Sequence, residues 1–254
     1  MGLNMNGFLL AAGRGTRLKH LTEQTAKPAL PVAGLPMLAY SLSFFYHAKV
    51  KKLAVNTHHC AESINQIFAR AETPWQLHLS HETELLDTGG GVKKCEGLLD
   101  DDTVLLANGD VVCDVDAVKL ITLHRAQQAA LTLVVVPHPQ ANAMAPITID
   151  DKGHITDINR TFDKDSTGNH LYAGIAVFEP ELFAFLKSEP SSIVYTGYTG
   201  LIAAGKKVCA YVHEGLWYDC GTPESYAQVN AEVSGNLAHW KKTLHPAVKK
   251  LALS

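Results

Sequence analysis

Long charged runs, paired cysteines and long apolar segments are all missing from this 254-residue sequence. Only 19% of its residues are charged, the formal net charge is -3, and no run of lysine or arginine exceeds two residues. A protein that binds the nucleic-acid backbone needs a positively charged surface, which this composition does not indicate, so we expect no nucleic-acid partner. The 46% of hydrophobic residues suffices for a sizeable core, which argues against disordered and fibrous classes.

The five cysteines are scattered and are never spaced as C-x-x-C. This pattern argues against a disulfide framework and a structural zinc site, and it favours a reducing cytoplasm. The apolar run after Met1 to Asn6 is interrupted at Gly13, too early for a signal peptide or a membrane span. We therefore expect a cytoplasmic protein without membrane contact, as a monomer or a homodimer.

Short apolar runs alternate with stretches of helical period, which predicts an α/β fold. The predicted strands are Phe8 to Ala12, Leu53 to Asn56, Val104 to Ala107, Leu131 to Val136, Ala173 to Phe178 and Val208 to Val212. The predicted helices are Met37 to Ala48, Ala61 to Ala71, Val92 to Leu98, Val115 to Ala129, Pro180 to Leu186 and Pro223 to Val233. This order predicts a single Rossmann-like domain with a mostly parallel mixed sheet covered by helices on both faces.

A glycine-rich loop follows the first predicted strand, with the sequence Ala12-Gly13-Arg14-Gly15-Thr16-Arg17. Glycines let backbone N–H groups converge on an anion, and arginine presents a planar fork that matches phosphate oxygens. The spacing fits neither a dinucleotide fingerprint nor a Walker A loop, although an ordinary turn would look similar. The loop therefore predicts a phosphate site at the end of a strand.

A lysine and two aspartates would complete such a site. Lys27 precedes a proline, which we expect to hold it extended and aimed at the loop, although most lone lysines are simply solvated. Asp110 ends an apolar strand and Asp219 precedes a helix that starts with Pro223, so both carboxylates are expected at strand ends. Carboxylate oxygens are ligands that Mg²⁺ prefers, whereas the competing interpretation is a turn or a helix cap.

Two further segments contain residue types that often bind ligands. Thr88-Gly89-Gly90-Gly91 places three glycines ahead of a predicted helix, where backbone would approach a nucleobase or ribose, unless it is only a helix entry. His58 and His59 follow the second strand, and adjacent residues on a strand point to opposite faces, so we predict a structural role for them instead of a zinc pair.

Four motifs closely resemble those of the sugar-phosphate nucleotidyltransferases. They are Leu10-Ala11-Ala12-Gly13-Arg14-Gly15-Thr16-Arg17-Leu18, Thr25-Ala26-Lys27-Pro28, Asn108-Gly109-Asp110 and Trp217-Tyr218-Asp219-Cys220-Gly221-Thr222-Pro223. The resemblance covers about residues 7 to 232. It implies an enzyme that joins a sugar 1-phosphate to a nucleoside triphosphate and releases pyrophosphate. It also implies a nucleotide-binding half over about 1–137, a sugar-binding half over about 138–235 and a tail over 236–254.

The resemblance assigns roles to individual positions. The catalytic residues are Arg17, Lys27, Asp110 and Asp219, of which the two aspartates hold Mg²⁺. The nucleotide-binding positions are Ala11, Ala12, Gly13, Gly15, Thr16, Arg17, Lys27, Thr88, Gly89, Gly90 and Asn108. The positions on the sugar phosphate are Asp110, Asn159, Arg160, Tyr172 and Gly174. The Glu-Lys-Pro segment that many members carry is missing, so Arg160 is expected to replace its lysine, unless it makes an exposed salt bridge.

The version with Thr88-Gly89-Gly90-Gly91 most resembles N-acetylmuramate 1-phosphate uridylyltransferases and the neighbouring heptose and mannose 1-phosphate enzymes. We therefore expect UTP and N-acetylmuramate 1-phosphate as substrates, in the recycling of cell-wall sugars. The alternatives are a guanylyl- or other nucleotidyltransferase acting on mannose, heptose or glucose 1-phosphate, and a regulatory protein that binds nucleotide sugars without turnover. The four intact catalytic positions speak against the regulatory alternative.

Overall fold

The computed structural model describes residues 5–253 and divides into two compact units, each assembled from separate parts of the chain. The first unit runs to Leu85 and also contains Ala107–Asp116 and the chain from Gly215 onward. The second contains Leu86–Leu106 and Ala117–Glu214. The single domain and its two halves, expected from the sequence, stay predictions. These ranges include residues 1–4 and 254, which lie outside the described residues.

Thirteen strands are formed by residues 5–253. They are β1 (Asn6–Leu10), β2 (Pro31–Val32), β3 (Leu35–Pro36), β4 (Lys52–Thr57), β5 (Gln76–His81), β6 (Val104–Asn108), β7 (Val111–Cys113), β8 (Leu131–Pro137), β9 (Ile147–Ile149), β10 (Ile155–Ile158), β11 (His170–Phe178), β12 (Val208–Val212) and β13 (Trp217–Asp219). All six predicted strands are present. β5 escaped prediction because its sequence, QLHLSH, alternates partly exposed positions with few apolar residues.

Eight α-helices lie between or after these strands in the described part of the chain. They are α1 (Leu38–Ala48), α2 (Ala61–Arg70), α3 (Asp87–Lys94), α4 (Glu96–Leu99), α5 (Ala117–Gln127), α6 (Thr199–Ala203), α7 (Pro223–Gly235) and α8 (Leu237–Thr243). Short 3-10 helices occupy Thr16–Thr22, Lys27–Ala29, Ala141–Ala143, Pro180–Phe185 and Pro246–Leu251, and a π-helix occupies Val194–Tyr198. None of the described helices has the length and apolar character needed to cross a bilayer.

The first unit is built on parallel strands in the order β1, β4, β5. The apolar residues of β4 and, except for Leu10, those of β1 are buried, as are nearly all residues of α1. The Tyr40 ring of α1 packs edge-on against Trp240 of α8, with ring centroids 5.2 Å apart. Burial of side chains of this kind contributes roughly 1.5–3 kcal/mol each and holds the carboxyl ends of the strands at one edge.

The second unit combines both strand directions, in the order β12, β8, β11, β9, β10. β12 and β8 are parallel, whereas β8 with β11 and β9 with β10 are antiparallel. β9 and β10 form an antiparallel hairpin around Gly153. β6 begins in this unit and ends in the first one.

Three local predictions are wrong in detail. The helix expected from Val92 begins at Asp87, so the three glycines lie inside α3 and not ahead of it. Pro180–Phe185 is a 3-10 helix and not an α-helix. Lys27, expected to be extended because a proline follows it, opens a 3-10 helix, in which its carbonyl accepts the N–H of Leu30.

Candidate active site

The glycine-rich loop of the first unit leaves β1 and enters a 3-10 helix at Thr16. Ala11 and Ala12 are buried, whereas Gly13 and Arg14 are exposed. Gly15 has a φ of 64°, and its carbonyl accepts the Thr22 hydroxyl at 3.0 Å. The sequence thus forms the expected turn directly after a strand, with the backbone between residues 11 and 15 free of regular structure.

Lys27 and Asp110 form an ion pair in the first unit. Lys27 Nζ lies 2.7 Å from Asp110 Oδ2, the lysine side chain is 8% exposed, and the aspartate side chain is 33% exposed. Asp110 occupies the turn between β6 and β7, as the strand-end prediction required. Two positions expected to act on phosphate and metal are therefore in direct contact.

Arg17 and Asp219 both border Gly221. A methyl group at Gly221 would lie 3.1 Å from Arg17 Nη1 and 3.1 Å from Asp219 Oδ2. Asp219 ends β13, and α7 follows it with Thr222 as N-cap, whose hydroxyl accepts the N–H of Ser225 at 3.2 Å. This cap fixes the start of α7 and with it the segment that carries Asp219.

The thiol of Cys220 responds to three of these charges. Burial raises its pKa to about 12, Lys27 acts to lower it, and Asp110 and Asp219 act to raise it further. The four predicted catalytic residues thus all belong to the first unit, and three of them exert their charge on this one buried thiol. The carboxylate oxygens of the two aspartates suit a hard cation such as Mg²⁺, and the positively charged side chains of Arg17 and Lys27 suit phosphate.

Asn108 and the two histidines of the first unit each hydrogen-bond through or to the backbone. Asn108 is half-buried, and its carbonyl accepts the Ser41 hydroxyl at 2.6 Å. His58 Nδ1 donates to the carbonyl of Glu82 at 2.9 Å, and His59 Nε2 donates to the carbonyl of Thr22 at 2.6 Å. Both rings therefore hold backbone segments in place, which is the structural role predicted for them.

The remaining predicted positions lie in the second unit, where packing supplies a reason for two of the glycines. A methyl group at Gly89 would lie 2.8 Å from the carbonyl oxygen of Ser191, and one at Gly90 would lie 2.7 Å from that of Glu189. Thr88 Oγ1 accepts the N–H of Ile193 at 2.9 Å. Close contact of α3 with the 189–193 segment thus requires glycine there, and the nucleotide role of these positions stays a prediction.

Asn159 and Arg160 are two successive residues with positive φ, 51° and 56°. Such conformations are strained for residues other than glycine. Asn159 Nδ2 donates to the Tyr195 hydroxyl at 2.6 Å, and Arg160 Nη2 donates to the backbone and side-chain oxygens of Asn142 at 2.6 and 2.8 Å. The guanidinium is thus oriented by an amide side chain.

A single buried carboxylate organises the loop after this strained pair. Asp157 is 3% exposed. Its oxygens accept hydrogen bonds from the N–H groups of Ile158, Thr161, Phe162 and Asp163 and from the Ser166 hydroxyl. Burial acts to raise the pKa of Asp157, but these hydrogen bonds outweigh it and hold the pKa below its usual value. In the sequence, the only indication of this role is an aspartate before a polar loop.

Tyr172 and Gly174 lie on β11. The hydroxyls of Tyr172 and Tyr198 are 3.2 Å apart, and burial raises the pKa of both. Gly174 has a φ of 79° where the register between β11 and β8 shifts, so a β-bulge calls for glycine at this position. The expected contact of both residues with a sugar stays a prediction.

Comparison with known proteins identifies the family. Residues 6–236 match the model of the Nucleotidyl transferase family, and the chain belongs to this family. It is 29% identical to a mannose-1-phosphate guanylyltransferase of Mycobacterium tuberculosis over 92% of this chain and 66% of that one. It is 26% identical to a UTP–glucose-1-phosphate uridylyltransferase of Synechocystis over 88% of this chain and 62% of that one. The chain thus spans somewhat less than two thirds of the length of these relatives.

Solved structures support the fold. HddC of Yersinia pseudotuberculosis aligns with a TM-score of 0.73 at 20% identity, covering 90% of this chain and 99% of that one. This likeness confirms the predicted α/β class with a mixed, mostly parallel central sheet flanked by helices.

Proposed function

We propose that this protein is a sugar-1-phosphate nucleotidyltransferase. The proposal rests on one observation above the others, the contact between Lys27 and Asp110 beside the glycine-rich loop of the first unit. This ion pair at a strand end, in a member of the nucleotidyl transferase family, supports a site that binds both phosphate and a divalent cation.

The reaction needs no general base. A phosphate oxygen of the sugar 1-phosphate, already ionised at neutral pH, bonds to the α-phosphorus of the nucleotide, and the bond between that phosphorus and the bridging oxygen to the β-phosphate breaks. The electron pair leaves with pyrophosphate. The barrier is one of charge repulsion and alignment between two anions. Arg17, Lys27 and the loop amides would stabilise the charge that develops on pyrophosphate.

The donor set in the first unit fits Mg²⁺. Asp110 and Asp219 offer carboxylate oxygens, and both act on the Cys220 thiol, so their charges converge on one neighbourhood. Magnesium is commonly held by one or two carboxylates together with substrate phosphates, so these two residues are enough. When bound, the ion would neutralise charge on the reacting phosphates.

Two pairs of substrates are candidates for this reaction. The glycine segment from Thr88 to Gly91 supports UTP and N-acetylmuramate 1-phosphate, and with them a role in the recycling of cell-wall sugars. The names of the relatives instead favour GTP and mannose 1-phosphate, because several similar curated proteins are mannose-1-phosphate guanylyltransferases, although a glucose-1-phosphate uridylyltransferase also matches. We propose the uridylyl reaction, with the guanylyl reaction as the second candidate.

The test is pyrophosphate release with Mg²⁺ across UTP, GTP, CTP and dTTP, each combined with N-acetylmuramate, N-acetylglucosamine, glucose and mannose 1-phosphates. Asp110→Asn serves as the blank, and a chelator serves as the metal control. Release from UTP with N-acetylmuramate 1-phosphate that vanishes in both controls is the expected result. A signal from GTP with mannose 1-phosphate would replace the substrates and keep the reaction. No release from any pair, with nucleotide still bound, would favour the regulatory alternative.

A further inference from the structure

The last peptide group of β1 is held from both sides. Its carbonyl, on Leu10, accepts the N–H of Gly109 at 2.8 Å. Its N–H, on Ala11, donates to Asn56 Oδ1 at 2.8 Å. Because one bond lies on each edge of the same planar group, the two together fix the orientation of the peptide from which the glycine-rich loop departs.

Asn56 is fixed in turn by a buried carboxylate. It lies in β4 in register with Leu10, is 2% exposed, and donates from Nδ2 to Glu82 Oε1 at 2.8 Å. Because Glu82 Oε1 accepts the hydrogen bond from Nδ2, Glu82 selects the amide orientation in which Asn56 Oδ1 faces Ala11. With the amide reversed, Nδ2 would meet the N–H of Ala11, and neither donor would find an acceptor.

Glu82 is itself held at both ends of its backbone. Its N–H donates to the carbonyl of Thr57 at 2.8 Å, and its carbonyl accepts the Nδ1–H of His58 at 2.9 Å. Its side chain is nearly inaccessible to water, because the residue is 1% exposed. Burial of a carboxylate opposes folding, and an apolar residue of similar size would fill the space without that cost. The polar chain from Glu82 through Asn56 to Ala11 therefore serves a purpose other than packing.

We propose that Glu82 and Asn56 are positioning residues for the nucleoside triphosphate. They do not touch the nucleotide; they set the plane of the Leu10–Ala11 peptide and so the direction in which the loop from Ala11 to Gly15 leaves the sheet. This inference rests on the proposed function. It gives a role to the segment that contains Asn56 and His58, which the reaction itself leaves unexplained.

Four variants separate positioning from general destabilisation. Glu82→Met removes the acceptor and frees the amide, and Asn56→Leu leaves the Ala11 N–H without a partner. Glu82→Gln keeps an oxygen for Asn56 Nδ2 and is the conservative rescue. Ser43→Ala is the matched control, because Ser43 Oγ accepts the N–H of His245 at 2.9 Å at a position 3% exposed in the same unit.

Two readouts are used, one with and one without nucleotide. Hydrogen exchange of the peptide covering residues 8–18 is measured in the nucleotide-free protein, and UTP and GTP binding and steady-state kinetics follow. In Glu82→Met and Asn56→Leu we expect exchange of this peptide to rise and the KM for the nucleotide to increase, both about tenfold, because a buried donor is left unsatisfied. The KM for the sugar 1-phosphate stays unchanged, Glu82→Gln stays within about twofold of the wild type, and Ser43→Ala changes neither readout at this peptide.

Several outcomes would overturn the inference. Unchanged exchange in the two disruptive variants would show that the chain does not hold the loop. Faster exchange with unchanged nucleotide affinity would reduce its role to stability. Equal losses in Ser43→Ala would point to general destabilisation. If the wild-type protein bound none of UTP, GTP, CTP and dTTP, the proposed function would fall first and this inference with it, which separates that case from the others.

Discussion

Lys27 Nζ and Asp110 Oδ2 lie 2.7 Å apart, so the carboxylate expected to hold a metal is already neutralised by the lysine expected to hold phosphate. The two roles compete in the free protein, because the ammonium group occupies an oxygen that a cation would use. A nucleotide that brings its own phosphates would give Lys27 a second anionic partner and release Asp110. We therefore expect the pair to link the binding of cation and nucleotide.

Lys27→Met tests this link, because it should change the affinities for cation and nucleotide in opposite directions. Without the ammonium group, Asp110 should bind Mn²⁺ alone roughly fivefold more tightly, the scale of one surface ion pair. Nucleotide turnover should fall by about 10²–10³, the usual loss when one charge-stabilising group is removed. Mn²⁺ titration by electron paramagnetic resonance gives the first quantity and pyrophosphate release gives the second.

Asp110→Asn is the control for that experiment, since it should weaken Mn²⁺ binding and turnover together. An unchanged Mn²⁺ affinity in Lys27→Met would show that the ion pair does not compete with the cation.

Gly15→Ala should destabilise the protein, whereas Gly13→Ala should not. Gly15 has a φ of 64°, and an added methyl group would lie 2.9 Å from Thr22 Cγ2 and 3.1 Å from Lys27 Cβ. A side chain in this conformation costs about 1–2 kcal/mol. At Gly13 the added methyl group meets no atom within 4 Å, so the free energy of unfolding should change by less than about 0.5 kcal/mol. Urea unfolding of both variants measures the difference, and equal values would show that the turn at Gly15 relaxes freely.

Arg160→Met tests the acceptor side of the proposed reaction. If the guanidinium oriented by Asn142 binds the sugar phosphate, its loss should raise the KM for the acceptor about tenfold or more, since hydrogen bonds to charged groups contribute about 1.5–3 kcal/mol. The KM for the nucleotide should stay unchanged. Lys164→Met removes an exposed cation from the nearby loop and controls for the loss of positive charge. Equal effects in the two variants would reject a specific role for Arg160.

Short motifs were enough to locate the candidate catalytic residues in the sequence, but not the contacts that hold them; their catalytic role stays a prediction. Arg17, Lys27, Asp110 and Asp219 come from short motifs next to strand ends, and the first unit contains all four. These motifs are local, so local reasoning is sufficient to find them.

Long-range contacts escaped the same reasoning. The packing of Gly89 and Gly90 against residues 189–191 joins segments about a hundred positions apart, so the sequence suggested only a ligand contact or a helix entry for these glycines. Glu82 was missed because β5 lacks an apolar pattern, and without that strand its carboxylate had no predicted place beside Asn56. The Asp157 hydrogen bonds depend on the conformation of a loop without regular structure, which no periodicity reveals.

Asp157→Asn should destabilise the second unit in a pH-dependent way. The amide would turn an NH₂ group toward backbone N–H donors, at a cost of about 1–3 kcal/mol at pH 7. Because the folded pKa of Asp157 is lowered, its stabilising contribution is present above the unfolded value of about 3.9 and is lost as the pH falls through the lower folded value. The difference in unfolding free energy between wild type and variant should therefore hold from pH 7 to about pH 4 and shrink below it. Urea unfolding at a series of pH values measures it, with the exposed Asp165→Asn as the matched control. A difference that persisted undiminished at pH 3 would mean that the loop does not depend on the ionised carboxylate.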